Sequence, residues 1–434
     1  MSSISLGLLS IALFLILMFC RMPIGFAMGL IGFVGYSFLV SWDTAFALVG
    51  LTMYHTATSY SLSVIPLFVL MGQFAFRSKI ADDLFTSVYK WMGHFPGGLA
   101  MATIGGCCGF AAVTGSSVTC AITMSEVALP SMRRYDYSPR LALGTIAAGG
   151  TLGILIPPSI AFVIYGMLTD QSIGKLLLAG IFPGLLLGLL FIITIYIISR
   201  LKPGWAPRGP RFDFKEKMIS LKGTWAILLL FFVVIGGIYR GLFTPTEAAA
   251  IGAGGALIIA LLKRTLSYKE FKDSLFSTAQ FSVTIFIVIM GSMILNVFLA
   301  RSKIPFMLSE VIMGFGLSKY WVLVIIILLY IILGCLMEAY SMIVLTVPII
   351  FPTIVKVGFD PIWYGVLMVI LIEMGMITPP VGLNVFVLGG IVKDVPLYDI
   401  FMGALPFVIA MAVGIVILII FPQIALFIPY SIKF

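Results

Sequence analysis

The chain of 434 residues is 61% hydrophobic and only 10% charged, with a mean hydropathy of +1.18. Soluble domains carry about 25% charged residues, so this composition excludes a soluble globular protein and implies an all-α integral membrane protein. The net charge of +9 does not signal nucleic acid: no basic run is interleaved with aromatics, and Lys and Arg fall between apolar stretches, as membrane topology requires.

Residues 1–20 lack a basic leader region and a small-residue cleavage site, so Ile4–Cys20 is expected to be a retained first helix. A second apolar helix follows. The stretch around Thr44–Ser59 is amphipathic and reads as a helix lying parallel to the membrane. A third helix begins near Ser63. Residues 97–130 form a double apolar segment with Thr114-Gly115-Ser116-Ser117 at its centre, which reads as a hairpin that enters and leaves on one side. Small polar residues at its tip suit an anion held by backbone N–H groups. Close helix packing is the competing reading.

Residues 139–168 form an apolar segment broken by Pro157-Pro158, with Gly149, Gly150 and Gly153 loosening the approach. Proline removes a helix donor and clashes with the preceding turn. The freed carbonyls need protein, water or an ion at membrane depth. Carbonyl and hydroxyl oxygens, Thr151 included, suit a hard cation such as sodium. A proline kink that only shapes packing is the alternative.

After a last helix, Arg200–Lys222 is the only long polar stretch, with seven basic residues and two acids. Residues 201–222 read as a cytoplasmic linker. Beyond it the landmarks return. Gly153 and Pro157-Pro158 are answered by Gly375 and Pro379-Pro380, at an offset of 222. Pro23 and Pro130 are answered by Pro245 and Pro352 at the same offset, and SVIPLFVLMG (Ser63–Gly72) by SVTIFIVIMG (Ser282–Gly291) at 219. This predicts two repeats, 1–200 and 223–434. The second has its hairpin at 320–353 and its broken helix at 361–390. Five crossings per half make the repeats inverted, with both chain ends outside, and this topology gathers most of the 26 Lys and Arg inside.

The second tip contains Met337-Glu338-Ala339-Tyr340-Ser341. Glu338 and Glu373 are acids within apolar runs, to be read as ion or proton sites or as structural acids hydrogen-bonded to backbone. Thr378 adds a hydroxyl at the second break. Asn384, just after it, is a candidate substrate contact, or else a capping or packing residue. The five cysteines lie in apolar segments and are expected as free thiols, with no metal other than sodium and no cofactor. His55 and His94 read as ordinary surface residues, and the tryptophans mostly flank spans. There is no phosphate-binding loop for ATP and no nucleophile–base set, so an enzyme is not expected.

The strings GGLAMATIGGCCGFAAVTGSSVTCAITMSEVALPSM, LALGTIAAGGTLGILIPPSIAFVIYG, GLFTPTEAAAIGA and MITPPVGLNVFV resemble the large membrane subunit, of DctM or SiaM type, of the tripartite ATP-independent periplasmic (TRAP) transporters. The resemblance runs through essentially the whole chain. It implies sodium-driven uptake of a carboxylate-bearing solute: sialic acid, a sugar acid or a C4-dicarboxylate. A periplasmic binding protein delivers the solute, and a small membrane subunit pairs with the large one in the bacterial inner membrane. It implies an elevator, with hairpins and broken helices moving past a scaffold from residues 4–60 and 223–275. It places one sodium site at Ser116, Ser117, Gly153, Ile156 and Pro158, and a second at Glu338, Ala339, Gly375, Thr378 and Pro380. Substrate is expected near Ser116, Thr151 and Asn384. Cys107-Cys108 departs from the small residues usual in the family. The alternatives are a stand-alone channel and a proton-coupled organic-anion transporter, either of which would act without partners.

Overall fold

The computed structural model describes residues 3–20, 22–305, 307, 310, 314 and 318–431. The two chain ends, expected outside, lie beyond the described residues. Among the described residues all regular structure is helical, apart from one backbone bridge between Pro96 and Arg208.

Chain order runs α1 (Ser3–Phe19), α2 (Ile24–Leu39), α3 (Trp42–Thr58), α4 (Val64–Arg77), α5 (Ile80–Met92), α6 (Gly98–Thr114), α7 (Ser117–Arg134), α8 (Pro139–Leu155), α9 (Ile160–Thr169), α10 (Ile173–Ala179) and α11 (Ile181–Leu201). It continues with α12 (Phe214–Tyr239), α13 (Pro245–Leu262), α14 (Tyr268–Ser302), α15 (Lys319–Gly334), α16 (Ala339–Lys356), α17 (Pro361–Gly375), α18 (Leu383–Ile391), α19 (Leu397–Ile420) and α20 (Gln423–Ser431). Among the described residues, seven helices are long and apolar enough to cross a membrane, or eight if α8 and α9 count as one bent span. The chain is thus a multi-pass helical membrane protein.

The starts of α7 and α16, and of α8 and α17, lie 222 residues apart, as do the prolines that open α8 and α17. Proline suits this first helical position, because its missing N–H has no intrahelical partner there. Asp360 caps α17 by accepting from Ile362 N at 2.8 Å and Trp363 N at 3.0 Å.

Three elements differ from the sequence expectation. The linker is only half irregular, because α12 begins at Phe214, inside the expected 201–222. Asp213 and Glu216 form a capping box there, which starts the helix at once. At 26 residues α12 is about 39 Å long, longer than the ~30 Å hydrocarbon core, so its charged first turns can stand outside the bilayer. The other half of the linker is fastened down. Gly97 N donates to Ala206 O at 3.3 Å, Ser138 N to Trp205 O at 3.0 Å and Gly209 N to Gly93 O at 2.9 Å. The Tyr137 hydroxyl donates to Pro207 O at 2.9 Å. These bonds strap residues 205–209 to the base of the α6–α7 hairpin. Second, α5 is an amphipathic helix that hydropathy alone did not flag; its Asp83 pairs with Lys263 at the end of α13. Third, the amphipathic helix is separate in the first half, as α3. In the second half it is fused with the span that follows into the 35-residue α14.

α2 and α14 cross with their backbones in contact. A Cβ on Gly25 would lie 2.8 Å from Ile287 O, and one on Gly32 would lie 2.6 Å from Leu295 N. A Cβ on Gly291 would collide with the Gly25 carbonyl. Small residues at such spacing let membrane helices approach closely. Elsewhere, α8 and α19 meet the same way at Gly144 and Gly403, beside the Arg140–Asp399 ion pair. Arg133 pairs with Asp394 at 2.8 Å and holds that carboxyl below the usual range.

Gly291→Val should therefore lower stability by ~1–3 kcal/mol or more, through overpacking at the α2–α14 crossing. Gly254→Ala, where nothing lies within 4 Å, should be neutral or stabilising by ~0.4–1 kcal/mol. Thermal unfolding in detergent reads both, and equal effects would contradict the packing argument.

Candidate functional site

The two breaks sit side by side with the two tips. In the first, α8 ends at Leu155 and α9 restarts at Ile160 with a bend of 43°. Pro157 and Pro158 have no N–H to give to the carbonyls of Gly153 and Ile154, four residues earlier. Ser159 caps α9 by accepting from Phe162 N at 3.4 Å. In the second, α17 ends at Gly375 and α18 starts at Leu383. Asn384 N reaches back across the break to Met376 O at 3.1 Å, and Gly382 takes a left-handed conformation that few other residues adopt, at φ 52. The Pro157–Pro158 and Pro379–Pro380 bonds are both cis.

Each tip supplies the start of a helix. Gly115, at φ 61, turns the chain out of α6, and Ser116 caps α7 by accepting from Thr119 N at 3.4 Å. Glu338 caps α16 by accepting from Ser341 N at 3.3 Å and from the Ser341 hydroxyl at 3.2 Å. A capping carboxylate complements the positive end of its helix. Tyr340 ties the tips together by donating to Gly115 O at 3.1 Å. Ser117 reaches the second break, with its hydroxyl 3.8 Å from Met376 Sδ.

Tips and breaks touch through glycine. A Cβ on Gly153 would lie 2.6 Å from Ser116 O, and one on Gly115 would lie 2.9 Å from Pro158 O. A Cβ on Gly375 would lie 2.6 Å from Gly334 Cα, at the end of α15. No side chain fits between these backbones.

A cavity of ≈ 620 Å³ opens beside them. One wall is Ser116, Ser117, Val118, Thr119 and Ile154, and its counterpart, 222 residues on, is Glu338, Ala339, Tyr340, Ser341 and Met376. The other wall has no such partner. It consists of Pro23–Phe26 at the start of α2 and, on α14, Phe281, Thr284, Ile285, Ile287 and Val288. Glu338 is the one charged residue lining the cavity; no Lys or Arg does so. Ions and solute there must meet hydroxyls, backbone and helix ends.

Of the residues singled out in the sequence, Ser116, Ser117, Glu338 and Ala339 line the cavity. Gly153, Ile156 and Pro158 lie in the first break, and Gly375, Thr378 and Pro380 in the second, behind that lining. Thr151 and Asn384, expected to contact substrate, do not reach the cavity. The Thr151 hydroxyl is 1% exposed and donates to Ala148 O at 2.6 Å, one turn back along α8. Asn384 is 0% exposed on the inner side of α18. Thr378 donates to Met374 O at 2.6 Å, leaving its oxygen able to accept. Sequence reasoning placed Tyr340 and Ser341 in the second tip without giving them a site role, and it missed Thr119, Ile154 and Met376, although the 222-residue offset carried them. It also missed the α2–α14 wall, whose apolar residues give no signal of their own.

The chain matches the family described as Tripartite ATP-independent periplasmic transporter, DctM component, over residues 11–424. It is 34% identical to the C4-dicarboxylate TRAP transporter large permease protein DctM of Vibrio cholerae, over 97% of this chain and 98% of that one. It is 36% identical to the DctM protein of Pseudomonas aeruginosa, over 88% and 89%. It is 31% identical to the sialic acid TRAP transporter large permease protein SiaM of Vibrio cholerae, over 95% and 96%. These relatives are named as permeases, not enzymes. Among solved structures, the Alcanivorax borkumensis YdaH transporter shares the fold, with a TM-score of 0.64 at 13% identity, over 91% of this chain and 90% of that one. With paired breaks and tips beside one cavity, and family likeness from end to end, this chain belongs to the DctM family of TRAP transporter large permeases.

Proposed function

We propose that this permease couples uptake of a carboxylate-bearing solute to a sodium gradient by an elevator movement. The observation that carries the reading is the cavity whose one side is assembled from two tips and two breaks at matching positions. The halves, 1–200 and 223–434, act as inverted repeats joined on the cytoplasmic side, with both chain ends outside the inner membrane. α6–α9 and α15–α18 form the moving body, and the helices of residues 4–60 and 223–275 form the static frame.

Sodium suits the oxygens available. Ser116 and Ser117 with the backbone of Gly153, Ile156 and Pro158 make one set. Glu338 and Ala339 with Gly375, Thr378 and Pro380 make the other. A hard cation prefers such carbonyl, hydroxyl and carboxylate ligands. The N-terminus of α7, where Ser116 accepts from Thr119 N, borders the cavity, and the positive end of that helix favours an anionic group of the solute. The α16 terminus already holds Glu338, so the two ends differ in what they accept. Relatives are named for C4-dicarboxylate, sialic acid and 2,3-diketo-L-gulonate, all carboxylates, and one for isethionate, a sulfonate; an organic anion is common to all, and a carboxylate to most. A periplasmic binding protein and a small membrane subunit are the proposed partners.

In liposomes holding the permease with its small subunit and binding protein, collapsing the sodium gradient should abolish concentrative uptake. Undiminished uptake would reject the coupling. Glu338→Gln should raise the sodium concentration for half-maximal uptake about tenfold or more, since a hydrogen bond to a charged group is worth ~1.5–3 kcal/mol. An unchanged sodium dependence removes Glu338 from the ion sites. Gly153→Ala sets a methyl 2.6 Å from Ser116 O, so it should cut uptake at least about tenfold, ~1.4 kcal/mol, with folded protein still recovered. Uptake at the unmodified rate would show that the first tip and break need not touch.

A further inference from the structure

Glu373 lies on α17, two residues before the second break, and is 1% exposed. Neither of its carboxylate oxygens has a hydrogen-bond partner. The groups that face it are the Ser117 hydroxyl, the Cys120 thiol and the Glu338 carboxylate. None is a cation, and none of the three ion pairs among the described residues includes it. Beyond the same break, Asn384 is fully buried with both amide side-chain atoms also unpartnered. Glu373 does not line the cavity. Ser117 and Met376 do, and their contact stands at the boundary between cavity and carboxylate.

An unpaired carboxylate buried at membrane depth is among the most costly arrangements a protein can hold. Here the cost is raised by a second carboxylate, Glu338, which faces it with no Lys or Arg between. Either a proton or a metal cation must therefore neutralise Glu373. We propose that Glu373 is the carboxylate ligand of a further monovalent-cation site, behind the Ser117–Met376 contact and additional to the two sets at the breaks. A single carboxylate with a hydroxyl beside it offers hard oxygen ligands and one negative charge, which suits sodium. Among the described residues no group of three or more His, Cys, Asp or Glu gathers for a transition metal. The inference rests on the sodium-coupled reading and adds one ion to it. Ser117, shared by the cavity lining and this carboxylate, links occupancy of the new site to the first tip.

The test is equilibrium binding of radiolabelled sodium to the purified full-length chain in detergent. Glu373→Gln should bind one sodium fewer per chain than the unmodified protein. Glu373→Asp, which keeps the charge on a shorter arm, should bind the full number with one site weakened several-fold. If Glu373→Gln binds the full number, the carboxylate holds a proton or nothing, and the inference is overturned while sodium coupling stands. If the unmodified chain binds no sodium, the coupling reading fails and this site falls with it. Should Glu373→Gln not fold, the Glu373→Asp isotherm decides alone, and one identical to that of the unmodified protein overturns the site.

Discussion

Backbone polarity inside hydrocarbon is the constraint on which the rest of this structure depends. A peptide N–H or C=O that faces lipid without a partner costs several kcal/mol, so a spanning helix is normally uninterrupted. This chain interrupts two helices with double prolines and makes the breaks tolerable by burying them. The cover is other backbone: the first tip lies on Gly153, and α15 lies on Gly375. Glycine is required at both places because the covering chain approaches closer than any Cβ allows. The same requirement keeps the tips short and polar, since each must end one helix and start another next to an exposed carbonyl.

Cover of this kind leaves room on one side only. Five cavity positions from each half match at a single offset, so the half of the cavity they build has nearly equal partners. The chemistry is not equal. Ser116 stands where the other half has Glu338, and Val118 where it has Tyr340. The matched positions share one geometry, and the residues within it give one tip a carboxylate cap, Glu338, and the other a hydroxyl cap, Ser116. The facing wall, from α2 and α14, has no matched set in the lining and is largely apolar. Its role is to close the space, and its close Gly25–Gly291 crossing makes it a firm surface.

Much of this was legible in the sequence because proline, glycine and offset report on backbone directly. A double proline in an apolar run marks an interrupted helix, and its recurrence 222 residues later located both breaks. The offset also held the second cavity row, Thr119 with Ser341 and Ile154 with Met376, but reading it needed knowledge of which side of each helix turns outward. Thr151 and Asn384 are absent from the lining for that reason: both stand near a break, but both are buried. The α12 start was hidden by its own charges, which resemble a linker until the Asp213 and Glu216 cap is seen. α5 was hidden because an amphipathic helix at an interface carries too many polar residues to register as apolar. The α2–α14 wall leaves no trace in composition, since its residues would be equally at home facing lipid.

The strap at residues 205–209 sets a mechanical limit. Because its hydrogen bonds hold that segment to the base of the first hairpin, and α12 begins at Phe214, only residues 210–213 connect the two without regular structure. Four residues drawn taut span roughly 13–14 Å. Any displacement of the hairpin relative to α12 is therefore leashed: one longer than this must unwind the first turn of α12, at its Asp213 and Glu216 capping box, or peel the strap from its seat.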